Sequence, residues 1–94
     1  MRITFDPAKD AANVAKHGLS LSVAAELEWN VAVVWEDSRR DYGEVRYAAL
    51  APVGRRLLFV AYTQRGGLRR IISLRKANLR EIDRYEVETD STDH

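Results

Sequence analysis

Residues 45–76 constrain the fold more than any other part of the chain. Three strand-like runs lie there, at 45–51, 57–63 and 69–76. Only Pro52-Val53-Gly54 and Gly66-Gly67, with two and three further residues beside them, separate them. Strands joined by such short turns pair as antiparallel neighbours. The Gly66-Gly67 pair suits a two-residue hairpin, because glycine accepts the positive φ that primed turns need. Residues 57–63 are almost wholly apolar, so both faces need cover and the run belongs in the middle of the sheet. Val31-Ala32-Val33-Val34-Trp35 reads as a further strand, and residues 37–43 as a polar turn after it.

Helical signals lie on either side. Arg2-Ile3-Thr4-Phe5 reads as a short strand. Asp6 then supplies an N-cap and Pro7 the first helical position, predicting a helix over 7–16 that Gly18 stops. Ala8, Ala11, Ala12 and Ala15 form a small-residue stripe expected to pack inward, with Asn13, Lys16 and His17 off it. Ser20 can cap a second helix over 21–29. Asn78 and Glu81 have capping-box spacing at the start of a helix over 79–87. An acidic tail, 88–94, is expected to fray. The order is strand, two helices, four strands, helix. Ninety-four residues make one domain, 1–94, expected as α+β: an antiparallel sheet with helices mainly on one face.

The formal net charge of +1 hides a strong segregation. Residues 1–44 carry five basic and eight acidic side chains, residues 45–80 nine basic and none acidic, and residues 81–94 one basic and six acidic. Eight of the nine central cations are arginine, whose planar fork matches phosphate better than a lysine ammonium does. Successive strands fold this charge back on itself, which points to a polyanionic ligand. No basic helix carries it, so groove insertion into DNA is poorly supported. Single-stranded RNA on a basic sheet fits better, with Tyr42, Tyr47, Tyr62 and Tyr85 available to stack bases.

The last strand poses a problem of parity. Side chains alternate faces along a strand. Arg69, Ile71, Ser73 and Arg75 would share one face, and Arg70, Ile72, Leu74 and Lys76 the other. Arg70 and Arg75 act together only if a twist or bulge near Lys76 breaks the alternation.

Other chemistries find little support. The two histidines, His17 and His94, lack a second ligand at helical spacing, so neither a metal nor a cofactor is expected. Gly66-Gly67 precedes a strand, unlike a phosphate-binding loop. There is no cysteine, which suits a reducing cytosol. No run approaches a membrane span, and the N-terminus does not read as a secretion signal. A cytoplasmic location without membrane contact is expected.

Three groups of residues resemble the BrnT family of type II toxins. The first is Phe5-Asp6-Pro7-Ala8-Lys9, Ala12-Asn13 and Lys16-His17-Gly18-Leu19-Ser20. The second is Glu36-Asp37, Arg40-Asp41-Tyr42-Gly43-Glu44 and Arg46. The third is Tyr62-Thr63-Gln64-Arg65-Gly66, Arg70-Ile71-Ile72-Ser73 and Arg75-Lys76-Ala77, with Glu81 and Tyr85. The resemblance spans about residues 3 to 86. The chain departs from the family pattern at Glu28-Trp29-Asn30-Val31, where Phe-Asp-Asp-Pro is usual, and at Arg69 and Leu74, where an apolar residue and alanine are usual. The resemblance implies a RelE-like fold and a ribonuclease that blocks translation. It also implies a BrnA-like antitoxin that binds the toxin and, through its own DNA-binding part, the shared operator.

RNA cleavage without metal uses the 2′-OH as nucleophile. Arg70 and Arg75 are then the expected phosphate-binding and charge-stabilising catalytic residues. Lys16 and Lys76 are weaker candidates for phosphate, and Arg65 guides the RNA. His17 is a candidate acid or base, since histidine changes charge near neutral pH. Tyr85 is a candidate acid or stacking platform. A competing reading is a non-catalytic module whose basic sheet binds RNA or the antitoxin.

Overall fold

The computed structural model describes residues 2–39, 41 and 43–90. Arg40 and Tyr42 of the family-like segment, and the end of the acidic tail with His94, lie outside the described residues.

Five strands form one open sheet in the order β1-β5-β4-β3-β2. They are β1 (Arg2–Thr4), β2 (Val33–Asp37), β3 (Arg46–Val53), β4 (Arg56–Arg65) and β5 (Leu68–Lys76). Neighbours from β2 to β5 run antiparallel, and β4 is central as its apolar run requires. The short β1 pairs parallel to the start of β5, so the sheet is mixed rather than purely antiparallel. At the β4–β5 hairpin Gly66 adopts φ 60°, a conformation open to glycine at little cost. The architecture is α+β.

Helix α1 (Pro7–His17) starts as its sequence requires: the Ala8 amide donates to Asp6 Oδ1 at 2.9 Å. It ends at Gly18, whose amide donates to Val14 O at 2.8 Å. The expected inward alanine stripe is overturned. Ala8, Ala11, Ala12 and Ala15 are all exposed, and Asn13 is the buried residue of the helix. The reason is where the helix packs. β1 covers only the first part of β5, which leaves backbone groups of β5 needing partners further along. Asn13 supplies them: its Nδ2 donates to Leu74 O at 2.8 Å, and Leu74 N–H donates to its Oδ1 at 3.1 Å. Its Nδ2 also donates to Leu19 O at 2.8 Å. Asp10 on the same side accepts from the Leu21 amide and from Ser20 Oγ, at 2.7 and 2.9 Å. A strand edge demands polar groups, so the polar stripe faces in.

The expected second helix is also corrected. Ser20 caps it as predicted, but the segment forms two short 3-10 turns, Leu21–Glu26 and Trp29–Val31, rather than one α-helix. Between them Leu27 turns to an extended conformation, and the Trp29 indole donates to Ala24 O at 2.9 Å. Leu21, Ala24 and Leu27 from this segment bury the main core with Ala49, Val60, Tyr62, Ile71 and Leu74 of the sheet. Helix α2 (Leu79–Asp90) extends past its expected end at 87 and takes in the start of the acidic tail. Its capping box forms as predicted, at 2.8 and 2.9 Å. It packs on the other face of the sheet, where Tyr85 meets the smaller cluster of Ala48, Leu50 and Phe59. The expectation of helices mainly on one face is therefore corrected: the 3-10 turns and α2 lie on opposite faces.

Candidate functional site: a basic groove on the α2 face

The register of β5 against β4 contains a shift. Ala61 pairs with Ser73, but Tyr62 pairs with Ile71, so Ile72 is an extra residue. Such a bulge resets the alternation of side chains. Before it, Arg70 pairs with Thr63; after it, Ser73 pairs with Ala61 and Arg75 with Phe59. Paired residues share a face, so Arg70, Ser73 and Arg75 all lie on the α2 face. The parity problem is resolved by a bulge, placed in the middle of the strand rather than near Lys76.

Small side chains on that face make a hollow. One cross-sheet row reads Trp35, Ala48, Ala61, Ser73 from β2 to β5. The next row toward α2 holds Leu50, Phe59 and Arg75. The row on the other side holds Asp37 with Arg46, and Thr63 with Arg70. The result is a groove of about 470 Å³ floored by Ala48 and Ser73 and walled by Trp35, Asp37, Arg39, Phe59 and Arg75. Lys16 and His17, in the last turn of α1, close it at the β5 edge.

Each wall residue is held in its own way. The Arg75 guanidinium lies over the Phe59 ring, 4.2 Å from its centre. It makes a two-pronged pair with Glu81, Nη1 to Oε1 at 2.8 Å and Nη2 to Oε2 at 2.9 Å. Burial pushes the Glu81 carboxyl up, but the bonds from Arg75 and from the Asn78 amide, with the Arg75 charge, more than offset this and hold it below its ordinary range. Asp37 is buried and takes the Arg39 fork at 2.9 and 3.0 Å. Lys16 and His17 make no hydrogen bond or ion pair with a described residue. The groove thus gathers Lys16, Arg39 and Arg75 against the two carboxylates of Asp37 and Glu81, an excess of one positive charge.

Of the residues singled out in the sequence, Lys16, His17 and Arg75 meet in the groove, and Arg70 stands exposed on the same face beyond it. The others lie elsewhere. Arg65 sits at the β4–β5 hairpin, exposed and paired with Glu44 at 3.0 Å. Lys76 pairs with Leu58 of the opposite, core face and borders a separate depression with Arg55, Arg56 and Ile82. The Tyr85 hydroxyl donates to Val31 O at 2.9 Å, outside the groove, and burial with the nearby Glu28 charge raises its pKa. Among the other tyrosines, Tyr62 is buried and stacks on Tyr47 beneath the core face.

Sequence reasoning gave Trp35, Asp37, Arg39 and Glu81 no part in the site, although Asp37 and Glu81 stand among the family-like residues. Alternation along residues 33–37 already puts Trp35 and Asp37 on one face. The Arg75–Glu81 pair had no comparable signal, since it links two elements across a turn. Among the described residues no three His, Cys, Asp or Glu side chains cluster as metal ligands, and no helix is long and apolar enough to cross a membrane.

No curated protein matches the chain. A family model does, over residues 5–81, and its description is a ribonuclease toxin, BrnT, of a type II toxin-antitoxin system. That stretch takes in α1, the whole of β2 to β5 and the first turn of α2. The chain belongs to the BrnT family of type II toxin–antitoxin ribonuclease toxins.

Proposed function

We propose that the chain is a RelE-like endoribonuclease toxin that cleaves mRNA in the cytoplasm by attack of the RNA's own 2′-OH, and so inhibits translation. One observation carries the assignment of the site: the bulge at Ile72 sets Arg70 and Arg75 on the same face, beside a groove that also receives Lys16 and His17. A single strand laid along β5 meets Arg75 and Lys16 at the scissile phosphate. Arg70 stands about 13 Å away along the strand, which assigns it to a flanking phosphate.

The reaction forms a bond from the 2′ oxygen to phosphorus and breaks the bond to the 5′ oxygen. Its products are a 2′,3′-cyclic phosphate and a free 5′-OH. Negative charge grows on the phosphate oxygens in the transition state. Arg75, held beforehand by Glu81 and Phe59, stabilises it without reorganising, and Lys16 adds a second positive charge. His17 takes the 2′-OH proton or gives one to the leaving oxygen, a role worth about 10²–10⁴-fold in rate. Solvent water carries the other proton, and no step of this scheme calls on a metal. A BrnA-like antitoxin neutralises the toxin by binding it, and carries the complex to operator DNA.

Cleavage of a defined RNA by purified protein tests the site. Arg75→Ala lowers kcat about 10²–10³-fold. Arg70→Ala acts mainly on KM, by about 10-fold. Full activity in both variants, with folding intact by circular dichroism, removes the groove as the site. Salt-sensitive RNA binding without products would instead support the non-catalytic module.

A further inference from the structure

We propose that Glu81 is a positioning residue for RNA cleavage: it holds Arg75 by one edge of the guanidinium and leaves the other edge for the scissile phosphate. The inference rests on the ribonuclease reading of the groove. It follows from a count of donors. A guanidinium carries five N–H groups in a fixed plane. Two Nη1 hydrogens of Arg75 are used, one on Glu81 Oε1 at 2.8 Å and one on Lys76 O at 3.2 Å. One Nη2 hydrogen is used on Glu81 Oε2 at 2.9 Å. Nε–H and the second Nη2 hydrogen have no partner among the described residues. Those two lie side by side along one edge of the plane, a fork that matches two phosphate oxygens.

The remaining freedoms of Arg75 are closed as well. The guanidinium carbon lies over the Phe59 ring, 4.2 Å from its centre, which limits movement toward the sheet. Glu81 is itself fixed: its Oε1 accepts from the Asn78 amide at 2.9 Å, and its own amide donates to Asn78 Oδ1 at 2.8 Å. The backbone N–H of residue 78, which Asn78→Ala keeps, therefore helps aim the cation of the groove through the Glu81 carboxylate. Glu81 draws on both of its oxygens to do this and is exposed for only 16% of its side chain. It touches no substrate and acts through Arg75.

The test measures cleavage of one RNA by wild type, Glu81→Ala, Glu81→Gln, Arg75→Ala and the Glu81→Ala/Arg75→Ala double variant. Asn78→Ala serves as the control that removes the cap and spares the Arg75 pair. Glu81→Ala is expected to lower kcat about 10- to 100-fold with KM changed less than about 3-fold. Glu81→Gln keeps the cap acceptor and one bond to Arg75, and recovers part of that loss. In the Arg75→Ala background the Glu81 substitution changes kcat less than about 2-fold. Asn78→Ala lowers Tm while keeping kcat near wild type. A Glu81→Ala loss of equal size with and without Arg75 overturns the proposal, since Glu81 then serves only the fold. So does wild-type kcat in folded Glu81→Ala. If Arg75→Ala cleaves as well as wild type, the reading of the groove fails first; if wild type does not cleave at all, both fail.

Discussion

Arg69 and Arg70 are adjacent arginines with opposite fates. Arg69 turns to the core face and lies over Trp29, 4.2 Å from the ring centre, with Tyr62 at 5.6 Å. Arg70 is exposed on the groove face. Composition treats the two alike; only the register separates them. Arg69 and Trp29 are among the residues at which the chain departs from the pattern it otherwise resembles, and here they meet as a cation on an aromatic face. Tyr85 shows the same dependence on position. It was a candidate acid or stacking platform, yet its hydroxyl is spent on Val31 O at 2.9 Å. Burial and the Glu28 charge raise its pKa, so the phenol keeps the proton it donates there. Tyr85→Phe is expected to lower stability by about 0.5–1.5 kcal/mol in urea unfolding and to leave kcat within about 2-fold of wild type. A large fall in kcat at unchanged stability would return Tyr85 to the reaction.

Elements were legible wherever local signals dominate. Asp6-Pro7, Gly18, Ser20, the Asn78/Glu81 box and the Gly66 turn all act as their residue types require. The wholly apolar 57–63 run became the central strand. What failed was long-range. Nothing local in Ile71-Ile72-Ser73 marks a bulge, because its extra residue is counted only against the partner strand. The facing of α1 failed for a different reason. An apolar stripe predicts packing on a sheet face, but this helix meets a strand edge, where backbone N–H and C=O groups set the demand. Asn13 therefore carries more stability than the alanines. Asn13→Ala removes the partners of Leu74 N–H, Leu74 C=O and Leu19 C=O, and is expected to cost about 2–4 kcal/mol, read as a lower urea midpoint. A cost under about 0.5 kcal/mol would mean that the β5 edge is satisfied in another way. The same substitution loosens the end of α1 that carries Lys16 and His17, so cleavage should fall along with stability.

At the scale of the whole molecule, charge segregation in the sequence pointed toward a polyanion, and the fold decides where the polyanion meets it. The acid-free segment 45–80 spans β3, β4 and β5, yet its arginines do not form one surface. Arg69 goes to the core side, Arg65 to a turn, and Arg55, Arg56 and Lys76 border depressions beyond the groove. Three cations on the groove face are the proposed contacts to RNA: Lys16, Arg70 and Arg75, the last also paired with Glu81. Single-strand binding that releases about 0.7 counterion per contact gives a log–log salt slope of about −2. Arg70→Ala should reduce its magnitude by about 0.7, measured by fluorescence anisotropy with a 2′-deoxy RNA analogue that cannot be cut. An unchanged slope would remove Arg70 from the binding face. The central claim is that groove residues cut RNA through its own 2′-OH. End-group analysis of RNA incubated with purified protein in EDTA tests it most directly. The account predicts 2′,3′-cyclic phosphate and 5′-OH ends from wild type and a loss of about 10²-fold or more in their rate of formation from Arg75→Ala. Products that form only with Mg²⁺, or that carry 5′-phosphate ends, would contradict it.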